Sequence, residues 1–213
     1  MKKKPKIGLA IGSGAAYGLS TIGVLKVLEE NEIPVDMISG SSIGAVIGAL
    51  YASGMKSFKL EDELLTMRWR ELLDFVIPEK GLVAGNKVEN YLRDLIKYKT
   101  FEELKIPLYI IAVDVNKGRQ IVFNKGDVAS AVRASMSIPG VFTPVEMEGM
   151  TLVDGGVINP VPTDVLKKRC DVIIAIDFRV DIKPLSYVTA KREKSRFLKA
   201  VQQDFIESEL KYV

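Results

Sequence analysis

Histidine is absent from all 213 residues, and this excludes the commonest way of activating a serine hydroxyl. A Ser-His-Asp triad needs an imidazole to take the serine proton, so no such hydrolase can be assembled from this chain. Cysteine is nearly absent as well. The single Cys170 excludes an intrachain disulfide and fits a reducing compartment; it is expected as a small core residue just before a buried strand. Long hydrophobic runs are missing too, since the longest, residues 43–52, falls short of the ~18 needed to cross a bilayer. The basic residues 1–6 resemble the start of a signal peptide, but the apolar run 7–11 is interrupted by Gly8 and is shorter than the ~7–15 residues such peptides use. A first strand is expected there instead. Nor is there an excess of one charge: 30 Lys and Arg against 27 Asp and Glu give a net charge of +3. That is too mild for a protein that tracks phosphates, so no nucleic-acid partner is expected.

What is present is the size and composition of one ordinary globular domain, with 47% hydrophobic and 27% charged residues. Strand-like and helix-like segments alternate, which predicts an α/β architecture with a mostly parallel sheet. Residues 6–11 form the expected first strand, 12–18 a glycine-rich turn, and 19–31 a helix with Ile22, Leu25 and Leu28 at helical spacing. A short strand over 37–39 leads into a helix over 43–53 that is apolar on every face, the pattern of a buried helix. Residues 55–99 are amphipathic and helical, with a break around 78–86. In that stretch Leu60, Leu64, Trp69, Leu72, Leu73 and Phe75 either line an acyl pocket or simply cover the sheet. Two β-rich runs, 107–113 and 120–124, flank a turn with Asn116 and Gly118. A helix capped by Asp127 follows, then short strands over 141–148 and 151–153, and a final buried strand over 172–177. The tail carries Lys191, Arg192, Lys194, Arg196 and Lys199 before Phe197, Val201 and Phe205 at helical spacing. It reads as a solvated helix or, alternatively, as a contact with an anionic membrane surface.

Three segments carry possible chemistry. Gly40-Ser41-Ser42-Ile43-Gly44 has the G-x-S-x-G spacing of a nucleophile elbow, with a strand before it and a helix after it. Such a turn tolerates little bulk around the serine and exposes its Oγ at the helix N-terminus. Without histidine the serine needs another base, and the lysine solution fails because only Ser53-Gly54-Met55-Lys56 fits any of its motifs. Asp154, ending a strand and followed by Gly155 and Gly156, is the carboxylate best placed to serve if its strand neighbours that of Ser42. The third segment is Gly12-Ser13-Gly14-Ala15-Ala16-Tyr17-Gly18, whose small residues let backbone N–H groups converge on an anion. As a dinucleotide loop it departs from G-x-G-x-x-G, and Asp36 precedes the second strand instead of ending it.

Taken together, these motifs resemble bacterial patatin-like phospholipases. The resemblance runs colinearly over residues 6–177, through the glycine loop, the elbow, Ala134-Ser135-Met136-Ser137-Ile138-Pro139-Gly140-Val141-Phe142, and Asp154-Gly155-Gly156 followed by Asn159-Pro160-Val161-Pro162. It implies a three-layer α/β fold with a mostly parallel central sheet flanked by helices. It also implies hydrolysis of lipid acyl esters by a Ser-Asp dyad without metal or organic cofactor. Carried over by position, Ser42 is the nucleophile, Asp154 the general base, and the amides of Gly12, Ser13, Gly14 and Ala15 the oxyanion hole. Where many relatives have arginine in the glycine loop, this chain has Tyr17. The expectation is therefore a cytoplasmic acyl hydrolase over residues 1–180, with a helical tail over 181–213 that is short relative to longer relatives. Its partners are a phospholipid, lysophospholipid or other acyl ester, with peripheral contact at the inner membrane face; the oligomeric state is left open. The rival is a non-catalytic regulator that keeps the fold and binds a lipid or a protein.

Overall fold

Large and small residues alternate along the first two strands, and that alternation sets the layers. In β1 (Ile7–Ile11) Leu9 and Ile11 are fully buried among the helices. Gly8 points the opposite way: a Cβ there would sit 2.8 Å from Cys170 Sγ and 3.0 Å from Leu166 Cδ1. In β2 (Met37–Ser41) Ile38 packs on the helical side, while the Ser39 hydroxyl donates to the Pro162 carbonyl at 2.8 Å on the other. Small side chains thus let the segment 160–170 lie close on one face, and branched ones build the core on the other. These features come from a computed structural model that describes residues 4–74, 83–97 and 99–178.

Among the described residues the sheet has seven strands, four of them parallel. β1 pairs with β2 on one side and with β7 (Val172–Ile176) on the other, and β2 pairs with β3 (Leu108–Asp114). The antiparallel additions matter most for the site. β4 (Arg119–Phe123) occupies one edge of β3 along residues 110–114. The other edge is divided between two strands: β2 takes residues 108–111, and β6 (Met150–Asp154) takes 112–114 in the antiparallel sense. β2 and β6 therefore meet end to end, C-terminus against C-terminus, with Ser41 opposite Ile111 and Asp154 opposite Ala112. β5 (Val145–Met147) closes this end of the sheet against β6.

Among the described residues the helices are α1 (Thr21–Glu30), α2 (Ile43–Ala52), α3 (Ser57–Thr66), the single turn α4 (Trp69–Leu72), α5 (Asn86–Ile96) and α6 (Val128–Ser135). α2 is buried on all sides except at Tyr51, as its uniformly apolar sequence predicts. α5 buries Val88, Leu92 and Ile96, one per turn, and leaves Glu89 and Arg93 on another face. α6 is capped as expected: the Asp127 carboxylate accepts from Ser130 N–H at 2.7 Å. The β3–β4 hairpin also forms as predicted.

Several expectations are corrected. The helix over 19–31 opens with a 3-10 turn, Ala15–Ser20, before α1 begins. Of the strand expected over 141–148 only Val145–Met147 forms, because Val141 and Phe142 N–H both turn back to the Ile138 carbonyl at 3.0 Å. β7 is the outermost strand of the described sheet and is partly exposed, with Val172 at 46%; its run of apolar residues mimics a buried strand. Cys170 is accordingly half-buried against Gly8 rather than in the core. Leu60 and Leu64 are core residues. Phe75 and the basic tail beyond residue 178 lie outside the described residues. Among the described residues no helix is long and apolar enough to cross a membrane.

Candidate active site

The turn from β2 into α2 holds Ser42 at φ 57° and ψ −124°, a left-handed conformation that a non-glycine residue adopts at a cost of about 1–3 kcal/mol. Glycines on either side make the turn possible. A Cβ on Gly44 would lie 2.7 Å from the Gly12 carbonyl oxygen, and one on Gly40 would lie 2.8 Å from Ala45 N. The strand, turn and helix are thus pressed too closely for any side chain at those positions.

The end-to-end junction of β2 and β6 brings Asp154 to Ser42. The Ser42 hydroxyl donates to Asp154 Oδ2 at 2.5 Å, and Oδ1 accepts from Gly156 N–H at 2.6 Å. Both side chains are buried, each residue being 5% exposed. Burial raises the Asp154 pKa from 3.8 to about 6, although the hydrogen bonds from Ser42 and Gly156 pull it down. The two strands are not lateral neighbours, as the sequence had suggested they would need to be; they abut on a shared edge of β3. Gly155 passes over the junction, where a Cβ would lie 2.6 Å from Ser41 Oγ.

The glycine loop lies against the segment after Asp154, and a Cβ on Gly156 would meet Ser13 Oγ at 2.6 Å. Of its four candidate donors, two are engaged elsewhere: Gly12 N–H donates to the Ile176 carbonyl at 3.0 Å and Ser13 N–H to the Pro160 carbonyl at 2.8 Å. Those bonds extend the β1–β7 ladder and tie the loop to the chain beyond Asp154. The amides of Gly14 and Ala15 have no acceptor among the described residues. Asp36, by contrast, lies at the opposite end of the sheet, where its carboxylate accepts from Ile7 N–H at 2.7 Å. It cannot meet a ribose held by the glycine loop, which removes the dinucleotide reading. Among the described residues no group of three or more Cys, Asp or Glu side chains gathers as a metal site would require.

Residues 9–167 match the family model described as patatin-like phospholipase. The chain belongs to the patatin-like phospholipase family. Among curated proteins it is 37% identical over 175 residues to an uncharacterized NTE family protein of Mycobacterium tuberculosis, a match covering 81% of this chain and 49% of that protein. The lysophospholipase NTE1 of Candida glabrata is 33% identical over 178 residues, covering 80% of this chain and 10% of that one. The matched region spans about half the length of the mycobacterial relative. Among solved structures VipD of Legionella pneumophila shares the fold, with a TM-score of 0.64 at 14% identity over 73% of this chain and 46% of that one.

Within this patatin-like fold, three residues that sequence reasoning had assigned no role stand directly behind the Ser42–Asp154 pair. Ser135, fully buried at the end of α6, accepts from Ser42 N–H at 2.9 Å. The Ser137 carbonyl accepts from Asp154 N–H at 2.9 Å, and the Ser137 hydroxyl accepts from Arg133 at 2.7 Å. Arg133 is 3% exposed and also donates to the carbonyls of Thr143 and Ala84. Its guanidinium lies 5.4 Å from the centre of the Phe142 ring. All three fall in or beside the segment 134–142 that carried the family resemblance; an arginine between Ser130 and Ser135 in an otherwise apolar helix was the available signal. Tyr17 is 69% exposed on the rim of the glycine loop.

Proposed function

We propose that this chain is a serine hydrolase of lipid carboxylic esters that works through an acyl-enzyme. The observation that carries the reading is the buried Ser42 Oγ to Asp154 Oδ2 hydrogen bond of 2.5 Å. As Ser42 Oγ attacks the ester carbonyl carbon, its proton passes to Asp154 Oδ2. The tetrahedral intermediate places negative charge on the former carbonyl oxygen, and the amides of Gly14 and Ala15, which have no acceptor among the described residues, are the donors available to it in the glycine loop. Collapse expels the alcohol, which takes the proton back from Asp154. Water then attacks the acyl-Ser42 with Asp154 again accepting a proton, and the carboxylic acid leaves as Oγ is reprotonated. Burial helps here: a carboxylate with its pKa near 6 is a stronger base than an exposed aspartate, and it is still mostly ionised at neutral pH.

The class of substrate is drawn from the family and from the lysophospholipase named among its relatives. Phospholipids, lysophospholipids and simple esters are the panel that tests it. Hydrolysis of at least one is expected, with kcat/KM rising as a single proton leaves through about pH 6, where Asp154 titrates in the free protein. Turnover by none, from folded protein, would favour the non-catalytic regulator. A flat profile between pH 5 and 8 would remove Asp154 as the base.

Ser135 is a positioning residue on this reading. Ser135→Ala takes away the acceptor of the Ser42 amide and leaves a buried donor unpaired, at a cost of about 1–3 kcal/mol. Steady-state kinetics should show kcat lowered by roughly ten- to a hundredfold with KM nearly unchanged, as for an interaction that holds the nucleophile in its attacking geometry. Ser135→Thr keeps a hydroxyl and should recover most of the rate. An equal fall in both variants would mean that packing, not the hydrogen bond, is what matters.

A further inference from the structure

Sheet pairing alone leaves the separation of Ser42 and Asp154 loose. Their strands β2 and β6 meet end to end on one edge of β3, and each pairs with β3 instead of with the other. Yet two side chains that share one proton tolerate little error, since a misplacement of about 1 Å costs on the order of a hundredfold in rate. A third element bridges them. The turn that ends α6 accepts from both: the Ser135 hydroxyl takes the Ser42 N–H and the Ser137 carbonyl takes the Asp154 N–H, each at 2.9 Å. One tight turn thus holds the backbones of nucleophile and base.

A helix C-terminus is ordinarily the part most ready to fray, because its last carbonyls lack partners within the helix. Here the turn is pinned from outside. The Arg133 guanidinium donates to the Ser137 hydroxyl at 2.7 Å, and that hydroxyl donates back to the Arg133 carbonyl at 3.1 Å. Nη2 of the same guanidinium donates to the Thr143 carbonyl at 2.9 Å and to the Ala84 carbonyl. Those two acceptors belong to segments tied to each other, for Thr143 N–H donates to the Val83 carbonyl at 2.9 Å and Val83 N–H to the Val141 carbonyl at 3.0 Å. Arg133 is 3% exposed, and its guanidinium lies 5.4 Å from the centre of the Phe142 ring. Gly85, at φ 81°, has no room for a side chain against Nε. A planar fork enclosed in this way has one orientation.

We propose that Arg133 is a positioning residue that sets the separation of Ser42 and Asp154 by fixing Ser137 and, with it, the turn that ends α6. The proposal rests on the hydrolase reading above and adds to it the device that keeps the pair in register. Arg133 acts through the Asp154 backbone and not on the reacting atoms. When the turn shifts, the bond from Ser42 to Asp154 loosens, and the carboxylate loses a donor that holds its pKa down. The position of the turn is therefore readable in the ionisation of Asp154 as well as in the rate.

The test compares wild type with Ser137→Ala, Arg133→Lys and the double variant, and takes Asp127→Ala as the control. Ser137→Ala removes the bond while leaving the guanidinium and its charge in place. Arg133→Lys replaces the fork by a single ammonium, which cannot hold acceptors on separate segments at once. Asp127→Ala weakens α6 at its other end, where the carboxylate accepts from Ser130 N–H. Kinetics on the phospholipid, lysophospholipid and simple-ester panel should show kcat lowered by roughly tenfold or more in each single variant, with KM nearly unchanged. The double variant should be no slower than the slower single one. Asp154 ionisation is followed separately, through the carboxyl infrared band that Asp154→Asn removes. Its midpoint, about 6 in wild type, should rise by about half a pH unit or more in each single variant. In Asp127→Ala it should stay in place although that variant melts at a lower temperature. A midpoint unmoved in Ser137→Ala, additive losses in the double variant, or the same shift in Asp127→Ala would overturn the positioning role while sparing the hydrolase reading. Should no ester be turned over, that reading fails by itself and the infrared titration still decides between a midpoint that moves in Ser137→Ala alone and one that does not. Should Arg133→Lys fail to fold, Ser137→Ala against Asp127→Ala carries the comparison.

Discussion

Asp154→Asn is expected to lower kcat by ~10³–10⁴-fold and, near neutral pH, to make the protein more stable. The two effects share one cause. The carboxylate sits 5% exposed with Ser42 and Gly156 as its hydrogen-bond donors, and burial raises its pKa from 3.8 to about 6. Between those values the folded protein binds a proton that the unfolded chain has released. Stability from this group is therefore fully present below pH 3.8 and declines as pH rises through about 6. At pH 7 the ionised residue costs up to ~3 kcal/mol, which the neutral amide does not incur. Asparagine can keep the bond from Gly156 N–H, but it cannot take the Ser42 proton. Thermal unfolding at pH 7 and at pH 4, run beside kinetics, checks both halves: the gain in Tm should shrink at the lower pH. A variant that is inactive and also less stable at pH 7 would point to a structural carboxylate.

Ser42→Ala is expected to abolish both turnover and labelling by a fluorophosphonate, a loss of ~10⁴-fold or more, without unfolding the protein. Alanine meets the same backbone demand at φ 57° as serine does, so no new strain is added. Its one local effect is on Asp154, which loses the donor that was lowering its pKa; that pKa should rise further. Because the two side chains act on one proton, their effects should not add. Ser42→Ala combined with Asp154→Asn should be no slower than Ser42→Ala alone. Additive losses would mean that the two residues serve separate steps.

The elbow and Asp154-Gly155-Gly156 were legible in the sequence because tight turns at close-packed junctions admit only small residues, and that constraint is local. The all-apolar α2 and the Asp127 cap were legible for similar reasons. What the sequence could not give is the junction itself. Strand pairing is nonlocal, and nothing in residues 37–41 or 150–154 announces that β2 and β6 divide one edge of β3. The candidate donors of the glycine loop show the same limit. Gly12 and Ser13 look as available as Gly14 and Ala15 until Ile176 and Pro160 arrive from far along the chain to accept their protons. Ser135 resembles any serine at a fraying helix end; only the fold reveals the Ser42 amide in front of it. The apolar run of β7 suggested a core strand because burial depends on what pairs with the second edge, where no strand is found among the described residues.

The central claim is that a buried aspartate alone activates Ser42. The most direct measurement is the rate of fluorophosphonate labelling against pH, with the adduct located by peptide mass spectrometry. The account predicts a single adduct on Ser42, formed at a rate that rises as one group with a pKa of about 6 loses its proton, and lost in Asp154→Asn. An adduct on another residue, or labelling of Ser42 that is indifferent to pH and to Asp154→Asn, would contradict it.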